Sequence, residues 1–538
     1  MSVYAFTLTQ GYDSLVRQSM LLKHSANAPT YSDSLQTYLT RDNRDGYINE
    51  LLLILQELVH DNDCSLAQLA TVSRRGQYVI ERHNFERIKL TIWRMPEFGP
   101  MSRRNRALVK SIWFSLQLEE YDCPMCEGRA GDDGRFRHGT DDYTIIKAMH
   151  DLFWNLSTWE LSQAQKKLAL DISIYSPSDS QHHFKYLTFG PDAPLPDRKS
   201  TFSPSPSNQS DDPKHGWIAG ELSSAPPQQA LEYVHQEILA ENSCIFWNKE
   251  YENKWWQSLP EAPICMFSRP PNLEAIHYEP WRGWSPNDEA ATDQGNCLLL
   301  ESLNLTPNND SLKKLVLFEN FDEQYSSQFS GSSNGNVQTT NLRTPNRSVG
   351  RAVAKASLRL QHLSASFIIE ADHFLSAAET EPAWNWPHLR SLTLTSRLLN
   401  VQGDRSIMNQ ILLKAALIAL KMPKLETLEI WNGQPIGNIP TIPSCVTKAW
   451  KAVAHALRNP GSLSLLEYSV DDTIRINSHA DAISYLQLFK VLRPISLQQI
   501  LAAHTARDEG LPQGLGLGHG LAAPRTSITP YPAEKITS

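Results

Sequence analysis

The chain has 538 residues and a formal net charge of −8; 41% of its residues are hydrophobic and 20% are charged. This length exceeds what one compact core supports, so several domains or one extended array are expected. The acidic charge balance argues against nonspecific binding to nucleic acid or to an anionic membrane surface.

Three further features of the sequence bear on its compartment. No apolar run reaches the roughly 18 residues that a bilayer-spanning helix needs. The first residues lack the basic start and apolar block of a signal peptide. Seven cysteines are scattered along the chain, which is typical of a reducing compartment where thiols stay free. We therefore expect a cytoplasmic or nuclear protein with no membrane partner.

The amino-terminal part of the sequence predicts a poorly ordered lead followed by a small helical module. Residues 1–45 are polar and weakly patterned. Residues 46–85 contain a dense apolar segment at 50–59, a second at 66–72 that Ser65 can cap, and a plausible third helix at 75–82. These short helices cannot bury much surface alone, so they must pack on the strand predicted at 85–90.

Recurring strand-like segments dominate residues 86–500. Three have the pattern Leu-x-x-Leu-x-Leu, at 312–317, 389–394 and 425–430. Looser versions lie at 85–90, 184–189, 273–278 and 463–468, and another strand is expected from residue 360. Alternation along a strand predicts one buried set and an opposite set. The buried set is Leu315, Leu317, Leu392, Leu394, Leu428 and Ile430, and the opposite set is Val316, Thr393 and Glu429.

Helical segments precede several of these strands. They lie at 351–359, 408–422 and 447–457, and each is followed within a few residues by an apolar segment. A helix before each strand predicts parallel neighbours in one sheet. The fold class is therefore α/β, with an irregular leucine-rich-repeat-like solenoid over residues 86–500. Because the spacing of the strands is uneven, an irregular α/β array is the alternative.

Polar and small residues interrupt and end this region. Residues 190–227 are rich in Pro, Ser and Asp, and residues 322–350 in Ser, Asn, Gln and Thr. Both predict flexible insertions. Gly, Pro and small residues dominate at the carboxyl end, so residues 501–538 predict a disordered tail.

The motifs that could carry chemistry are incomplete. Cys123 and Cys126 form a single C-x-x-C pair, which supplies two of the four ligands of a structural zinc site. His138 could be a third ligand, and no fourth stands out. His182 and His183 are expected to be an exposed pair beside the strand at 184–189. We therefore predict no metal site, no catalytic residues, no cofactor and no enzymatic activity.

Several stretches resemble a known family. Glu50, Leu51, Leu55, Leu66 and residues 69–74 resemble the second part of an F-box, and residues 103–109, 276–282 and 317–321 resemble an uncharacterised family of filamentous-fungal F-box-like proteins. The resemblance implies that Leu51, Leu55, Leu66 and Val72 contact the adaptor of a cullin-type ubiquitin ligase. The sequence departs from the F-box motif at residues 47–48, where Leu-Pro is expected, and at Gly76, near an expected tryptophan.

Two functions fit these features. One is a substrate receptor that docks on the adaptor and presents a target for ubiquitination, which is an analogy with other F-box repeat proteins. The alternative is a stand-alone interaction scaffold without adaptor binding. In both, a protein partner is expected to contact polar residues of the strand segments, with Lys314, Arg390 and Glu426 as the candidate contacts.

Overall fold

The computed structural model of this chain describes, with short gaps, residues 2–8, 74–123, 138–157, 169–189, 211–230, 274–321, 345–432, 443–469 and 479–500. The chain forms two compact units. The larger contains residues 1–10, 118–147 and 175–538, and the smaller contains residues 11–117 and 148–174. Within the described residues, no helix combines the length and apolarity needed to cross a bilayer.

Helices and strands alternate along most of the described chain. The strands are β1 (Ser2–Leu8), β2 (Arg87–Thr91), β3 (Ser111–Gln117), β4 (Ala169–Tyr175), β5 (Trp217–Ile218), β6 (Glu221–Leu222), β7 (Ala275–Tyr278), β8 (Lys314–Phe318), β9 (His362–Ser366), β10 (Ser391–Thr395), β11 (Thr427–Trp431) and β12 (Leu463–Ser469). The helices are α1 (Arg74–Glu86), α2 (Met95–Ser102), α3 (His138–Ser157), α4 (Pro286–Asn304), α5 (Arg347–Ala356), α6 (Ala371–Thr380), α7 (Arg405–Ala419) and α8 (Ser444–Ala456).

The larger unit is built on a mostly parallel sheet. Its strand order is β12-β1-β11-β10-β9-β8-β7, and β7 to β11 are parallel and follow one another in chain order. Helices α4 to α8 pack on each other in the same succession. A parallel neighbour requires a crossover connection, and here a helix supplies each crossover. The mixed α/β class and the parallel pairing predicted from the sequence are confirmed.

The three Leu-x-x-Leu-x-Leu segments behave as predicted on one face. They form β8, β10 and β11 of a single sheet, and their alternate residues enter a core shared with α5 to α8. The buried residues are Leu315, Leu317, Leu392, Leu394, Leu428 and Ile430. This face is the main hydrophobic core of the larger unit.

The opposite face of these strands is also covered in the centre of the sheet. Val316 is 1% exposed and Thr393 is 4% exposed, while Glu429 is half-buried. Burial on both faces is usual for parallel sheets.

The smaller unit contains a three-stranded sheet in the order β2-β3-β4. Strands β2 and β3 are parallel, with Ile88 opposite Ile112 and Leu90 opposite Phe114. All four of these side chains are buried. The strand predicted at 85–90 is therefore confirmed as β2, whereas β3, β4 and α2 have no counterpart in the sequence prediction.

Several sequence predictions are wrong or shifted. Residues 184–189 form turns rather than a strand in their described part, with the amide of Leu187 donating to the carbonyl of Phe184. The described part of the insertion at 190–227 contains the β5–β6 hairpin. Within the predicted lead, residues 2–8 form β1, which lies antiparallel between β11 and β12. The helices predicted at 50–59 and 66–72, and the tail at 501–538, lie outside the described residues.

Candidate functional site

A cleft opens at the carboxyl ends of β7 to β11. The cleft is small, and residues from five consecutive strand-to-helix connections line it. The lining includes Arg282, Glu319, Phe367, Glu370, Arg397 and Asn432. In open α/β sheets, ligands bind outside the carboxyl ends of the strands, because each connection there can place a side chain at one shared site. We call this site the carboxyl-edge cleft.

Backbone hydrogen bonds hold the connections of the cleft together beyond the strands. The amide of Arg282 donates to the carbonyl of Asn320 at 2.7 Å, and the amide of Glu319 donates to the carbonyl of Ser366 at 3.0 Å. The amide of Ser396 donates to the carbonyl of Trp431 at 2.9 Å. These bonds continue the ladder of the sheet, so the cleft is lined by segments that the sheet positions.

Phe367 has an unusual backbone conformation at the centre of the cleft. Its φ is 62°, in the left-handed region that a bulky residue rarely adopts. Its amide donates to Thr395 Oγ1 at 2.7 Å, and its ring packs edge-on against Phe321 and Trp431, with 5.0 Å between centroids in each pair. Such conformations persist only where the surroundings impose them, and they cluster at binding sites.

Glu370 is a buried carboxylate in the wall of the cleft. One of its oxygens accepts a hydrogen bond from Ser396 Oγ, and the other accepts from the backbone amide of Arg397 at 3.1 Å. Burial raises the pKa of the Glu370 carboxyl, and these hydrogen bonds oppose the rise only in part. Glu370 therefore fixes the connection after β10 at some electrostatic cost.

We predict that Glu370 makes the stability of the larger unit depend on pH. Because its folded pKa is raised, its stabilising contribution is complete below the unfolded pKa of about 4.3 and is lost as pH rises through the folded pKa. The free energy of unfolding of the wild type should therefore increase relative to Glu370→Gln as pH is lowered from neutral. Denaturation followed by circular dichroism measures this difference.

The matched control for this prediction is Glu379→Gln, which changes an exposed glutamate of the same helix, α6. For each variant, the free energy of unfolding is compared with that of the wild type at each pH. If this difference changed with pH as much for Glu379→Gln as for Glu370→Gln, the pH dependence could not be assigned to Glu370.

The two arginines of the cleft differ in their hydrogen bonding. Arg282 donates from Nη2 to Glu289 Oε1 at 2.8 Å, which ties it to α4. Arg397 Nε lies 3.9 Å from Glu370 Oε2 and has no hydrogen-bond partner among the described residues. The guanidinium of Arg397 therefore retains donor capacity, and a planar guanidinium suits a carboxylate that approaches in its plane.

The structure places the predicted partner contacts at the other edge of the sheet. Lys314 begins β8, and Arg390 and Glu426 each lie one residue before β10 and β11. Arg390 pairs with Glu426 across these neighbouring strands. All three residues are at least partly exposed at the amino ends of the strands, away from the carboxyl-edge cleft. The predicted adaptor contacts Leu51, Leu55, Leu66 and Val72 lie outside the described residues.

A cluster of cysteine and histidine also lies in the larger unit. The possible ligand atoms of Cys123, His182 and His215 are all within 4.8 Å of one another. The expectation of an exposed pair at 182–183 is wrong, because His183 is buried and His182 is half-buried. Cys126 and His138 are the other candidate ligands in the sequence, and their side chains lie outside those that the structure describes. His215 was missed because it lies in a segment predicted to be flexible.

Comparison with known proteins gives one match. Residues 305–439 match the model of a family of unknown function (DUF6546). This stretch contains β8 to β11 and α5 to α7. No curated protein and no solved structure matches the chain. The family match thus coincides with much of the parallel sheet and most of the carboxyl-edge cleft, and it assigns no activity to them.

Proposed function

We propose that this chain is a non-enzymatic protein-interaction module whose protein partner contacts the rim of the carboxyl-edge cleft. The observation that carries the proposal is the convergence of five consecutive strand-to-helix connections on one cleft. Arg397 provides a donor for a carboxylate of the partner, and the buried Phe321 and Phe367 form the floor of the cleft beside it. Aromatic and arginine side chains in such sites carry most of the binding energy in protein interfaces.

The sheet and its helices support a finer structural proposal. We infer an irregular leucine-rich-repeat-like solenoid, preceded by an F-box-like helical module at residues 46–85. In its favour, parallel strands β7 to β11 follow chain order and helices α4 to α8 pack in succession. The first leucine of each segment is also buried, as at Leu312, Leu389 and Leu425. A repeat array exposes long edges, which suits recognition of an extended partner.

The test compares two arginines at opposite ends of β10. Arg397 lies in the cleft with a side chain that is 36% exposed, and Arg390 lies at the amino edge with a side chain that is 46% exposed. Arg397→Ala should weaken capture of partners by the full-length protein about 10-fold or more, the loss expected for an anchor residue. Arg390→Ala should leave capture nearly unchanged. Proximity labelling in the source cell, quantified by mass spectrometry, measures both.

The opposite result would contradict the proposed site. If Arg390→Ala abolished partner capture and Arg397→Ala did not, the partner would bind at the amino ends of the strands, where Lys314, Arg390 and Glu426 lie. Thermal denaturation of both variants checks that each remains folded.

The role in a ubiquitin ligase is a separate part of the proposal. A substrate receptor should capture an adaptor and a cullin, and its targets should accumulate when the proteasome is inhibited. Deletion of residues 46–85 should abolish adaptor capture while partner capture through the cleft persists. A protein that captures neither ligase component, with partners indifferent to the inhibitor, would instead be the stand-alone scaffold.

A further inference from the structure

Three distant segments of the larger unit meet around the imidazole of His182. Cys123 Sγ lies 3.8 Å from His182 Nδ1, and the ring of His215 lies 4.7 Å from the ring of His182 between centroids. Cys123 precedes helix α3, His182 follows β4, and His215 comes just before the β5–β6 hairpin. The cluster therefore joins parts of the chain that are far apart in sequence.

Hydrogen bonds from flanking residues hold the first two segments in register. Tyr121 donates from its hydroxyl to Asp179 Oδ1 at 2.9 Å, and its amide donates to Ser178 Oγ at 3.0 Å. The ring of Tyr121 also stacks on His182, with 5.5 Å between centroids. Cys123 and His182 thus lie side by side because residues two to four positions away from them in the sequence are hydrogen-bonded to each other.

The third segment is fixed by a carboxylate. His215 Nδ1 lies 2.7 Å from Asp212 Oδ2, so the imidazole donates through Nδ1 and keeps its lone pair on Nε2. A carboxylate behind an imidazole is the common arrangement for metal-binding histidines, because it fixes the tautomer and orients the ring. The indole of Trp217 also donates to the carbonyl of His182 at 2.9 Å, which ties the hairpin to the histidine segment.

The hydrogen-bonding capacity of the cluster is not met within the described residues. His182 Nε2 and His183 Nε2 are buried and have no hydrogen-bond partner there. His183 donates through Nδ1 to the carbonyl of His215 at 3.2 Å, so its own Nε2 carries a lone pair. Cys123 Sγ lies beside the other ring nitrogen of His182, Nδ1, so Nδ1 is the atom of His182 that can share a ligand with the cysteine.

We propose that Cys123, His182 and His215 bind one Zn²⁺ ion, which fastens the β5–β6 hairpin to the segments that carry Cys123 and His182. Thiolate and imidazole together are the ligands that zinc prefers. Tetrahedral coordination with bonds of about 2.0–2.3 Å places ligand atoms about 3.4–3.6 Å apart. The 3.8 Å between Cys123 Sγ and His182 Nδ1 is close to this value. All three ligand atoms lie within 4.8 Å of one another, so they must draw closer when the ion binds.

The chemistry of binding follows from the ligands. Zn²⁺ coordinates the thiolate, so binding releases the thiol proton of Cys123 to solvent, while both imidazoles bind in their neutral form. Burial and the neighbouring His215 lower the pKa of His182. One ion bound to all three residues links segments that are far apart in sequence. This link reduces the conformational entropy of the metal-free chain, so Zn²⁺ should order the β5–β6 hairpin.

The experiment is stoichiometric metal binding by the full-length protein. After removal of metals by a chelator, Zn²⁺ is titrated against a chromophoric competitor, and Co²⁺ is used as a spectroscopic probe. We expect one tightly bound Zn²⁺ per chain and a thiolate-to-cobalt charge-transfer band. Cys123→Ser should abolish that band, and Cys123→Ser and His215→Ala should each weaken Zn²⁺ binding by more than the roughly 100-fold that loss of an outer-shell partner can cause.

Cys445→Ser and His455→Ala are the matched controls, because both residues are exposed on α8. They should bind Zn²⁺ with wild-type affinity and keep the charge-transfer band. Weak binding of several ions, or binding that Cys123→Ser and His215→Ala both leave unchanged, would overturn the proposal.

Asp212→Asn tests the arrangement without removing a ligand. An amide can still contact His215 but does not stabilise its orientation as a carboxylate does, so Zn²⁺ affinity should fall about 10–100-fold. The Co²⁺ spectrum of this variant should keep its charge-transfer band, because Cys123 is intact. The charge-transfer band of the wild-type protein reports thiolate ligation without any variant. If the wild-type protein lacked this band, the proposal would be overturned even if the ligand variants failed to fold.

Discussion

Replacing Trp386 by alanine should lower the free energy of unfolding by about 3–5 kcal/mol, the usual cost of removing a buried tryptophan. Trp386 is 0% exposed and lies in the core between the sheet and the helices. Its ring contacts Phe374, with 5.9 Å between centroids, and its indole nitrogen donates to Ser357 Oγ at 2.8 Å. The substitution therefore creates a cavity and leaves the buried Ser357 hydroxyl without this donor. Denaturation of the full chain followed by far-ultraviolet circular dichroism measures the loss.

Trp384→Ala is the matched control for this change. Trp384 lies two residues away, is only partly buried, and its ring is 5.4 Å from the guanidinium carbon of Arg351. A cation–π contact at such a site contributes about 0.5–1 kcal/mol, so the loss should be much smaller. Equal losses from the two substitutions would contradict the core assignment of Trp386.

Replacing Gly350 by valine should destabilise the larger unit by about 1–3 kcal/mol or more, the range observed when a packed site receives extra atoms. Gly350 lies in α5 where that helix packs on α6. A β-carbon at this position would lie 2.6 Å from His373 Cβ and 3.3 Å from the backbone nitrogen of Phe374. Because backbone atoms are among those contacted, rotation of a side chain cannot relieve the overlap. The helices would have to separate, which would open the core beneath them.

Lys355→Val is the control, since it introduces the same side chain at an exposed position of α5. Its cost should be limited to the lower helix propensity of valine, which is below about 0.7 kcal/mol. A Gly350→Val variant as stable as Lys355→Val would show that α5 and α6 are not packed as closely as described. Both variants are measured by the same denaturation experiment.

The parallel sheet could be predicted from the sequence because its signal is local. Alternate apolar residues determine which side of a strand faces the core, and this does not depend on which strands are its neighbours. This pattern occurs at 312–317, 389–394 and 425–430. The helices before these strands then imply parallel pairing. The structure confirms both for β8, β10 and β11. Local patterning was misleading at 184–189, where Phe184 and Leu187 are buried in turns instead of a strand.

The candidate sites could not be predicted from local patterns. Arg282 and Arg397 line the same cleft because β7 and β10 lie in one sheet, and no single segment of the sequence determines the strand order of that sheet. His215 reaches Cys123 only because the hairpin that follows it lies near the residues after β4. In both sites, residues that are distant in sequence lie close together only because their segments pack against each other in the folded protein.

The sequence by itself determined the α/β class, the position of the main strands and the leucines that form the core, because these depend on the spacing of apolar residues. The tertiary structure alone decided that the sheet is covered on both faces, and that Glu370 and Arg397 meet in a cleft at its carboxyl edge. It also decided that Cys123, His182 and His215 form one cluster. These features depend on which distant segments pack together, and packing is settled by the free energy of the whole fold, not by the pattern of any one segment.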